Sequence, residues 1–402
     1  MGFYWKNILS ITASLLLVLF VSCNPYHGVP ESYHQKLDEA FKKAGKNKLE
    51  LKQIFELVSE EQKKAAAFLL TNMPERDLKN LTAGYLQDNI NWALKIKTSF
   101  PWSNEIPDSI FLNDVLPYAV LNERRDNWRE DFYTRFSKYV NGCKTIEEAI
   151  DSVNKNIMNE VKVVYSTERP KADQSPFESM DCGLASCTGL SILLVDAFRS
   201  VGIPARLAGT PLWTTVKGNH SWVEVWIRGE WYFTEYYPGE ALNRSWFVER
   251  AGKANPEKPI YWIYASSFKK RDIKFPLVWD EKIDYVFAEN VTSRYIELYH
   301  TQKMQKANNE NKVIVSVHLF KEKDNLKGDN RISQQICILS ENDTITRFKT
   351  AHPEDDMNNF REIFLKKKSD FTIHYFDNKG FKQLYIFHTD ISDFRINLFI
   401  DN

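Results

Sequence analysis

The 402-residue chain carries 53 basic and 53 acidic side chains, so its formal net charge is zero, and 43% of its residues are hydrophobic. This composition excludes wholesale disorder and collagen-like repetition, and the length predicts two or three domains, each able to bury a core. Proteins that bind nucleic acid need clustered Lys and Arg to displace counterions. Because the chain has no long basic run, we expect no nucleic-acid partner.

A short apolar segment opens the chain. Lys6 precedes the apolar run 8–21, and Ser22 and Cys23 follow it. A run of this length predicts a signal peptide over residues 1–22 rather than a spanning helix, and no later segment reaches the ~20 apolar residues that a spanning helix needs. The run's end resembles the lipobox of bacterial lipoproteins. This resemblance implies lipidation of Cys23 and an exported protein anchored to the bacterial cell envelope, at the outer membrane or cell surface; an uncleaved anchor helix or an ordinary signal peptide is the alternative.

Four cysteines follow Cys23, namely Cys143, Cys182, Cys187 and Cys337. An even count in an exported protein permits disulfides without requiring them. The spacing is not that of a disulfide-dense scaffold, and a chain of this size does not need such cross-links. We therefore expect at least one thiol to remain free for chemistry.

Residues 23–144 have the apolar spacing of a helical N-terminal region. The clearest repeat places Leu37, Ala40, Phe41 and Ala44 on one helical face, which predicts a packing surface. A central region, 145–290, begins with Thr145 and with Glu148 three residues later. This pair is typical of a capping box and predicts a helix with Ile146, Ala149, Ile150, Val153 and Ile157 on its buried face.

The period changes to two in the C-terminal region, 291–402. Val313, Val315, Val317 and Leu319 alternate with polar positions, and further short strands flank a turn at 377–380. We predict an antiparallel β-sandwich here, so that the whole chain has an α+β fold.

The candidate chemistry lies in the central region. Apolar residues from Leu190 to Val201 form one helical stripe that ends at Gly202 and Pro204, which places Cys187 at the start of a helix. Unpaired N–H groups and the positive end of the helix dipole favour a thiolate there, and the thiolate is the nucleophilic form of cysteine. A structural cysteine can occupy the same place, so the hypothesis also needs a general base.

His220 is the candidate base. Residues 220–227 alternate as a strand does, and a turn at Arg228-Gly229 leads to a second strand. If Ile227 faces Glu230, then His220 lies diagonally from Glu235 on one side of the sheet, about 7–8 Å away between Cα atoms. Glu235 would then orient the imidazole and stabilise its charged form.

Two segments, 186–210 (SCTGLSILLVDAFRSVGIPARLAGT) and 218–235 (GNHSWVEVWIRGEWYFTE), resemble the core of the transglutaminase-like superfamily of papain-type cysteine enzymes, especially its bacterial exported members. The resemblance implies a papain-like core with Cys187 as nucleophile, His220 as base and Glu235 as orienting acid. The family usually has Asp at the last of these positions, and many members carry Gly where this chain has Ala185.

Cys182 is an alternative nucleophile, because it too lies in a Gly-containing loop. It stands 20 residues before Gly202, whereas Cys187 stands 15 before it, and the family spacing fits Cys187. We interpret Cys182 as a buried neighbour or as a thiol that forms a disulfide with Cys187 on oxidation. A zinc site made of Cys182, Cys187 and His220 is an open but disfavoured alternative, since it lacks a fourth ligand.

Trp213 and Trp222 flank the predicted base. Aromatic side chains in this position can form walls of a substrate cleft, or can be ordinary core residues. No phosphate loop, metalloprotease helix or calcium loop occurs in the sequence, so no cofactor or metal is predicted.

The predicted function is acyl transfer on amide bonds of peptide or protein substrates through a Cys187 thioester, with hydrolysis by a peptidase or amidase favoured over cross-linking. The preference for hydrolysis rests on the resemblance. The alternative is a non-catalytic cell-envelope protein that retains the fold and binds a glycan or peptide with its cleft and C-terminal domain.

Overall fold

The computed structural model describes residues 26–237, 241–326, 330–341, 343–353, 362–377 and 380–400. The predicted signal peptide, Cys23 and part of the predicted turn at 377–380 lie outside these ranges. The described chain runs from N-terminal helices through a core of helices and strands to two C-terminal sheets, which confirms the predicted α+β class.

Helices make up the N-terminal part of the described chain. They are α1 His34–Ala44, α2 Lys48–Lys52, α3 Ile54–Leu57, α4 Lys63–Asn72, α5 Glu75–Asn80, α6 Ala83–Lys97 and α7 Asp108–Asp114. The predicted face of α1 is buried, and it packs with its neighbours into one hydrophobic cluster. Trp226 and Phe268 of the central region contact this cluster, so the helices lie against the core.

The later helices surround or follow the candidate nucleophile. They are α8 Arg129–Val140, α9 Ile146–Val161, α10 Pro176–Cys182, α11 Cys187–Ser200, α12 Val248–Gly252 and α13 Thr292–Asn309. Thr145 caps α9 as predicted, because its hydroxyl accepts a hydrogen bond from the Glu148 N–H. In a complete capping box the Glu148 carboxylate would accept a hydrogen bond from the Thr145 N–H. Here it accepts one from the Lys144 N–H instead. The predicted apolar face of α9 is buried.

Strands of the central region form a six-stranded antiparallel sheet and a two-stranded parallel pair. They are β1 Val164–Tyr165, β2 Leu184–Ala185, β3 Ala205–Thr210, β4 His220–Ile227, β5 Glu230–Thr234, β6 Tyr264–Ser267, β7 Ile273–Lys274 and β8 Phe287–Asn290. The large sheet has the order β5-β4-β3-β6-β8-β7, and β1 pairs with β2. Helix α11 packs between this sheet and helices α8 and α9, with every residue from Thr188 to Ser200 buried.

The C-terminal strands form two sheets that share one hydrophobic cluster. They are β9 Lys312–Phe320, β10 Gln335–Ser340, β11 Asp343–Lys349, β12 Glu362–Lys366, β13 Ser369–Asp377, β14 Gly380–Thr389 and β15 Phe394–Phe399. One sheet has the antiparallel order β11-β10-β13-β14, and the other has the order β12-β9-β15. The alternating residues of β9 face those of the other sheet, as the two-residue period predicts. The last strand, β15, joins β9 in parallel, a pairing that hydrophobic alternation does not encode.

Helix α13 connects the central sheet to the sandwich. Its Lys303 forms an ion pair with Glu362 at the start of β12. Among the described residues, no helix combines the length and apolar character that crossing a membrane requires.

Candidate active site

Cys187 is the first residue of α11, the position that the sequence predicts. Ser186 caps the helix, since its hydroxyl accepts a hydrogen bond of 3.0 Å from the Gly189 N–H. The N–H of Cys187 has no acceptor within the helix, because the first turn of any α-helix leaves its donors free. The position at the N-terminal end of the helix gives this side chain a positive local potential. Cys187 is partly exposed, so solvent can reach it.

The strand register around His220 is the predicted one. Ile227 pairs with Glu230, and residues 228 and 229 form a turn with φ values of 43° and 102°. The ladder ends at Val223 and Thr234, which leaves Glu235 one residue beyond β5. His220 Nε2 lies 2.8 Å from Glu235 Oε1. The diagonal pair derived from the hairpin is therefore confirmed as a hydrogen-bonded contact, and Nδ1 of the ring is left for the thiol.

The electrostatics of the site favour an ion pair between sulfur and imidazole. Burial raises the pKa of the Cys187 thiol, but the hydrogen bond and charge of His220, the N–H of Ser221 and the hydroxyl of Thr188 lower that pKa below its ordinary value. Burial lowers the pKa of His220, but its hydrogen bonds to Cys187 and Glu235, together with their charges, raise the pKa to about 9. The two directions agree, since a lowered Cys187 pKa and a raised His220 pKa both favour the thiolate–imidazolium pair.

Ser245 holds the far side of Glu235. Its hydroxyl donates a hydrogen bond to Oε2, while Oε1 is bound to His220. Both oxygens of the carboxylate are thereby fixed, which compensates for the extra methylene that Glu has over Asp. Sequence reasoning missed Ser245, because it follows the strand pair by ten residues in an irregular segment and has no periodic pattern.

The aromatic residues around His220 divide into core and surface groups. Trp222 is fully buried and Trp213 is 5% exposed, and their rings stack at a centroid distance of 6.2 Å. Both belong to a cluster with Phe247, so the structure favours the core interpretation that the sequence left open. Trp246, which the sequence did not single out, is 57% exposed, and its ring centroid lies 5.0 Å from that of His220. Trp246 is the exposed aromatic next to the base.

A buried polar network fixes β4 beneath the site. Glu224 is fully buried and pairs with Arg206 at 2.8 Å. Its other oxygen accepts hydrogen bonds from Arg294 and from the Tyr295 hydroxyl, and that hydroxyl accepts one from the Trp222 Nε1–H at 2.6 Å. Because breaking a buried charge network costs several kcal/mol, these contacts hold the strand that carries His220 in one register.

Cys182 is the last residue of α10, not the first residue of a helix as Cys187 is. It is exposed, and its sulfur donates to the Leu184 carbonyl at 3.2 Å and accepts from Gln174 at 3.1 Å. It is therefore not the buried neighbour that the sequence suggested. The described residues contain no cluster of three His, Cys, Asp or Glu side chains arranged to hold a metal ion.

Replacing Ser245 with Ala is expected to loosen Glu235 and to lower the alkylation rate of Cys187 by roughly three- to tenfold at pH 6.5, because one hydrogen bond to a charged group is lost. Ser245→Thr retains the hydroxyl and should retain the rate. The measurement is site-resolved mass spectrometry of iodoacetamide adducts over time. An unchanged rate in a folded Ser245→Ala protein would show that Glu235 is held in another way.

Comparisons with known proteins give one family match and several structural similarities. Residues 134–236 match the family model described as the transglutaminase-like superfamily. Among solved structures, a candidate cysteine protease from Cytophaga hutchinsonii is 16% identical with a TM-score of 0.27, over 35% of this chain and 47% of that one. Red sea bream transglutaminase is 10% identical with a TM-score of 0.32, over 73% of this chain and 65% of that one. This chain thus spans less than two thirds of the length of either protein.

No curated protein matches the chain significantly. The family match includes α11, which begins at Cys187, β4, which begins at His220, and Glu235, which follows β5. Residues 134–236 thus match the core of the transglutaminase-like superfamily.

Proposed function

We propose that the chain is an enzyme that transfers acyl groups from amide bonds of peptide or protein substrates through a Cys187 thioester. The observation that carries the proposal is the arrangement of His220, whose Nε2 is held by Glu235 while its ring interacts with the Cys187 sulfur. A nucleophile, a base and an orienting carboxylate in this order are the minimum set for covalent acyl transfer.

Each step uses a group of this chain. The Cys187 thiolate attacks the amide carbonyl carbon, and the N–H of Cys187 at the start of α11 donates to the developing oxyanion. The His220 imidazolium gives its proton to the leaving amine as the C–N bond breaks, which leaves a thioester and a neutral imidazole. The imidazole then takes a proton from the incoming water or amine, and the C–S bond breaks to release acid or new amide.

Water is the proposed acceptor in preference to a second amine. His220 and Glu235 side chains are 15% and 22% exposed and the thiol is partly exposed, so water can reach the thioester. Turnover in H₂¹⁸O in the presence of a lysine-mimicking amine separates the two outcomes. Incorporation of ¹⁸O into the acid product supports hydrolysis, and accumulation of the amine adduct supports cross-linking.

The pH dependence of Cys187 chemistry tests the enzyme proposal. Because the pKa of Cys187 is lowered, alkylation by iodoacetamide is expected to be fast well below the ordinary thiol pKa of ~8.5 and to persist at high pH, where the thiolate remains. Amide turnover needs the imidazolium as well. It should therefore fall as the pH rises through about 9, the pKa of His220.

The measurements are alkylation rates and turnover from pH 5 to 10, the latter with any amide substrate found by screening. If the alkylation rate of Cys187 has the pH dependence of an ordinary thiol, the result would favour the non-catalytic alternative, a protein that uses the same fold to bind a glycan or peptide.

We also propose that the protein is exported and anchored to the cell envelope through lipid on Cys23. The apolar run 8–21 followed by Ser22 and Cys23 supports this proposal. Cys23→Ala is expected to abolish lipid attachment and to release or mislocalise the protein, as measured by metabolic labelling with an alkyne fatty acid and by membrane fractionation. Unchanged labelling and partition of the variant would contradict the lipoprotein assignment.

A further inference from the structure

A cleft of about 1150 Å³ lies between the central region and the C-terminal sandwich. Its walls are α12 with the residues just before it, one face of α13, and the ends of β11 and β12. Drug-sized ligands occupy pockets of 300–1,000 Å³, so the cleft is large enough for a segment of several residues. It does not include Cys187 or His220, and the proposed chemistry leaves it without a role.

Among the described residues, some cations of the cleft are not in ion pairs. Of its five basic side chains, two are paired inside the cleft, Lys253 with Glu249 at 2.7 Å and Lys303 with Glu362. Its third carboxylate, Glu310, pairs with Lys312 at 2.9 Å. The basic side chains left over are Arg244, Lys306 and Lys349.

Within the part of the chain that the structure describes, no ion pair joins these three cations to a carboxylate, although the charge of Lys306 acts on Glu310. Lys306 lies over the Phe364 ring, with its ammonium 5.5 Å from the ring centroid, which keeps the charge at the cleft wall. The chain as a whole has no net charge, so a cleft lined by five basic and three acidic side chains is a feature of this place and not of the composition. A cleft lined by charges of one sign attracts ligands of the opposite sign.

One segment connects this cleft to the candidate active site. Arg244 lines the cleft, and the next residue, Ser245, donates the hydrogen bond that fixes Glu235. Val248 also lines the cleft, while the preceding Phe247 packs on His220 with ring centroids 5.4 Å apart. Arg244 and Val248 therefore each lie next in sequence to a residue that contacts Glu235 or His220.

We propose that this cleft binds a carboxylate-rich segment of the peptide or protein substrate whose amide Cys187 attacks. The inference rests on the proposed function and names its substrate class. Carboxylates fit better than a single phosphate because the three cations lie on different walls of a large cleft, on the loop before α12, on α13 and on β11, rather than converging on one point. The bound segment would raise the local concentration of the scissile amide at the thiolate.

The probe is a fluorescein-labelled hexapeptide, Gly-Glu-Glu-Gly-Glu-Glu, with the Gln analogue as the uncharged control. Fluorescence polarisation with the full chain is expected to show binding of the Glu peptide that weakens as salt increases, and no binding of the Gln peptide. Neutralising the three cations together, as R244A, K306A and K349A, should weaken binding about tenfold, since exposed ion pairs each contribute a few-fold.

The matched control neutralises three exposed lysines far from the cleft, as K36A, K46A and K282A, which changes the net charge equally. It should leave binding within twofold. Equal losses in both triple variants, binding of the Gln peptide, or displacement by millimolar inorganic phosphate would each overturn the proposal. So would an unchanged affinity in the cleft variant, or binding of a neutral oligosaccharide in place of the peptide.

Alkylation of Cys187 and peptide binding, both measured on the wild-type chain, separate this proposal from the proposed function. An activated thiol together with no peptide binding would reject the substrate class and leave the enzyme proposal intact. An ordinary thiol together with charge-dependent peptide binding would reject the enzyme and identify a peptide-binding protein.

Discussion

Cys187→Ser is expected to remove covalent substrate and inhibitor adducts and to lower amide turnover by a factor of about 10³ or more, because a hydroxyl in place of the thiolate is a much poorer nucleophile. The sulfur is the atom whose pKa is lowered by His220, and it lies at the N-terminal end of α11. Serine keeps the size of the side chain and the cap at Ser186, so the fold should be retained.

Cys182→Ser is the matched control, because it removes a thiol five residues away and leaves the site contacts of Cys187 unchanged. The exposed Cys182 lies at the C-terminal end of α10 and donates to the Leu184 carbonyl. We expect its turnover to stay within about twofold of the wild-type value. Intact-mass measurement of adducts on both variants is the test, and adducts that persist in Cys187→Ser but vanish in Cys182→Ser would reverse the assignment.

The His220–Glu235 contact could be predicted because a two-residue hairpin turn fixes register. Once Ile227 is paired with Glu230, the alternation of side chains places His220 and Glu235 on one face at a diagonal, and only local sequence is needed. The apolar stripe and the Gly202 stop likewise predict Cys187 at the start of a helix, where the structure places it. Hairpin register thus predicted that His220 and Glu235 lie together, and the family spacing selected Cys187 in preference to Cys182 as the nucleophile.

Ser245 and Trp246 could not be predicted by such rules. They lie in a segment without helix or strand, and their contacts with Glu235 and His220 depend on how that segment crosses the end of the sheet. The cleft between the central region and the sandwich could not be predicted from local rules either, because its lining residues extend over more than 100 positions, from Arg244 to Phe364. Sequence periodicity reports which face of an element is buried, but not which distant element covers it.

Trp213 and Trp222 show that an aromatic residue near a candidate base can be either a wall of a substrate cleft or a core residue. Trp222 alternates with His220 along β4 and therefore shares its face of the sheet, which made a cleft wall plausible. Its indole instead stacks on Phe247 with centroids 4.4 Å apart and donates to Tyr295, so the ring is enclosed. Burial of the ring beneath His220 gives the imidazole a rigid support and excludes water from its lower face.

Glu235→Gln is expected to lower amide turnover by about 10² to 10³ while the protein stays folded. In the comparable Ser-His-Asp arrangement, replacing the acid with its amide costs about 10⁴. The loss should be smaller here, because a thiolate needs less help from the base than a hydroxyl does. The amide still fits between His220 and Ser245, but it carries no charge to stabilise the imidazolium.

The direction of the pH effect follows from the same contact. Glu235 raises the pKa of His220, and the charged imidazole lowers the pKa of Cys187. Without the carboxylate charge, the His220 pKa should fall and the Cys187 pKa should rise, so the window in which thiolate and imidazolium coexist narrows from both sides. Alkylation of Cys187 in Glu235→Gln should therefore begin at higher pH than in the wild type, and turnover should decline at lower pH.

Glu235→Asp provides the conservative comparison, since it restores the residue that the family usually has and keeps the charge. It should retain turnover or improve it, and its alkylation profile should stay close to that of the wild type. Thermal unfolding of each variant shows whether the fold is intact. Wild-type turnover and an unshifted profile in a folded Glu235→Gln protein would mean that Glu235 is only a residue at a strand end, and that another group orients His220 or that His220 is not the base.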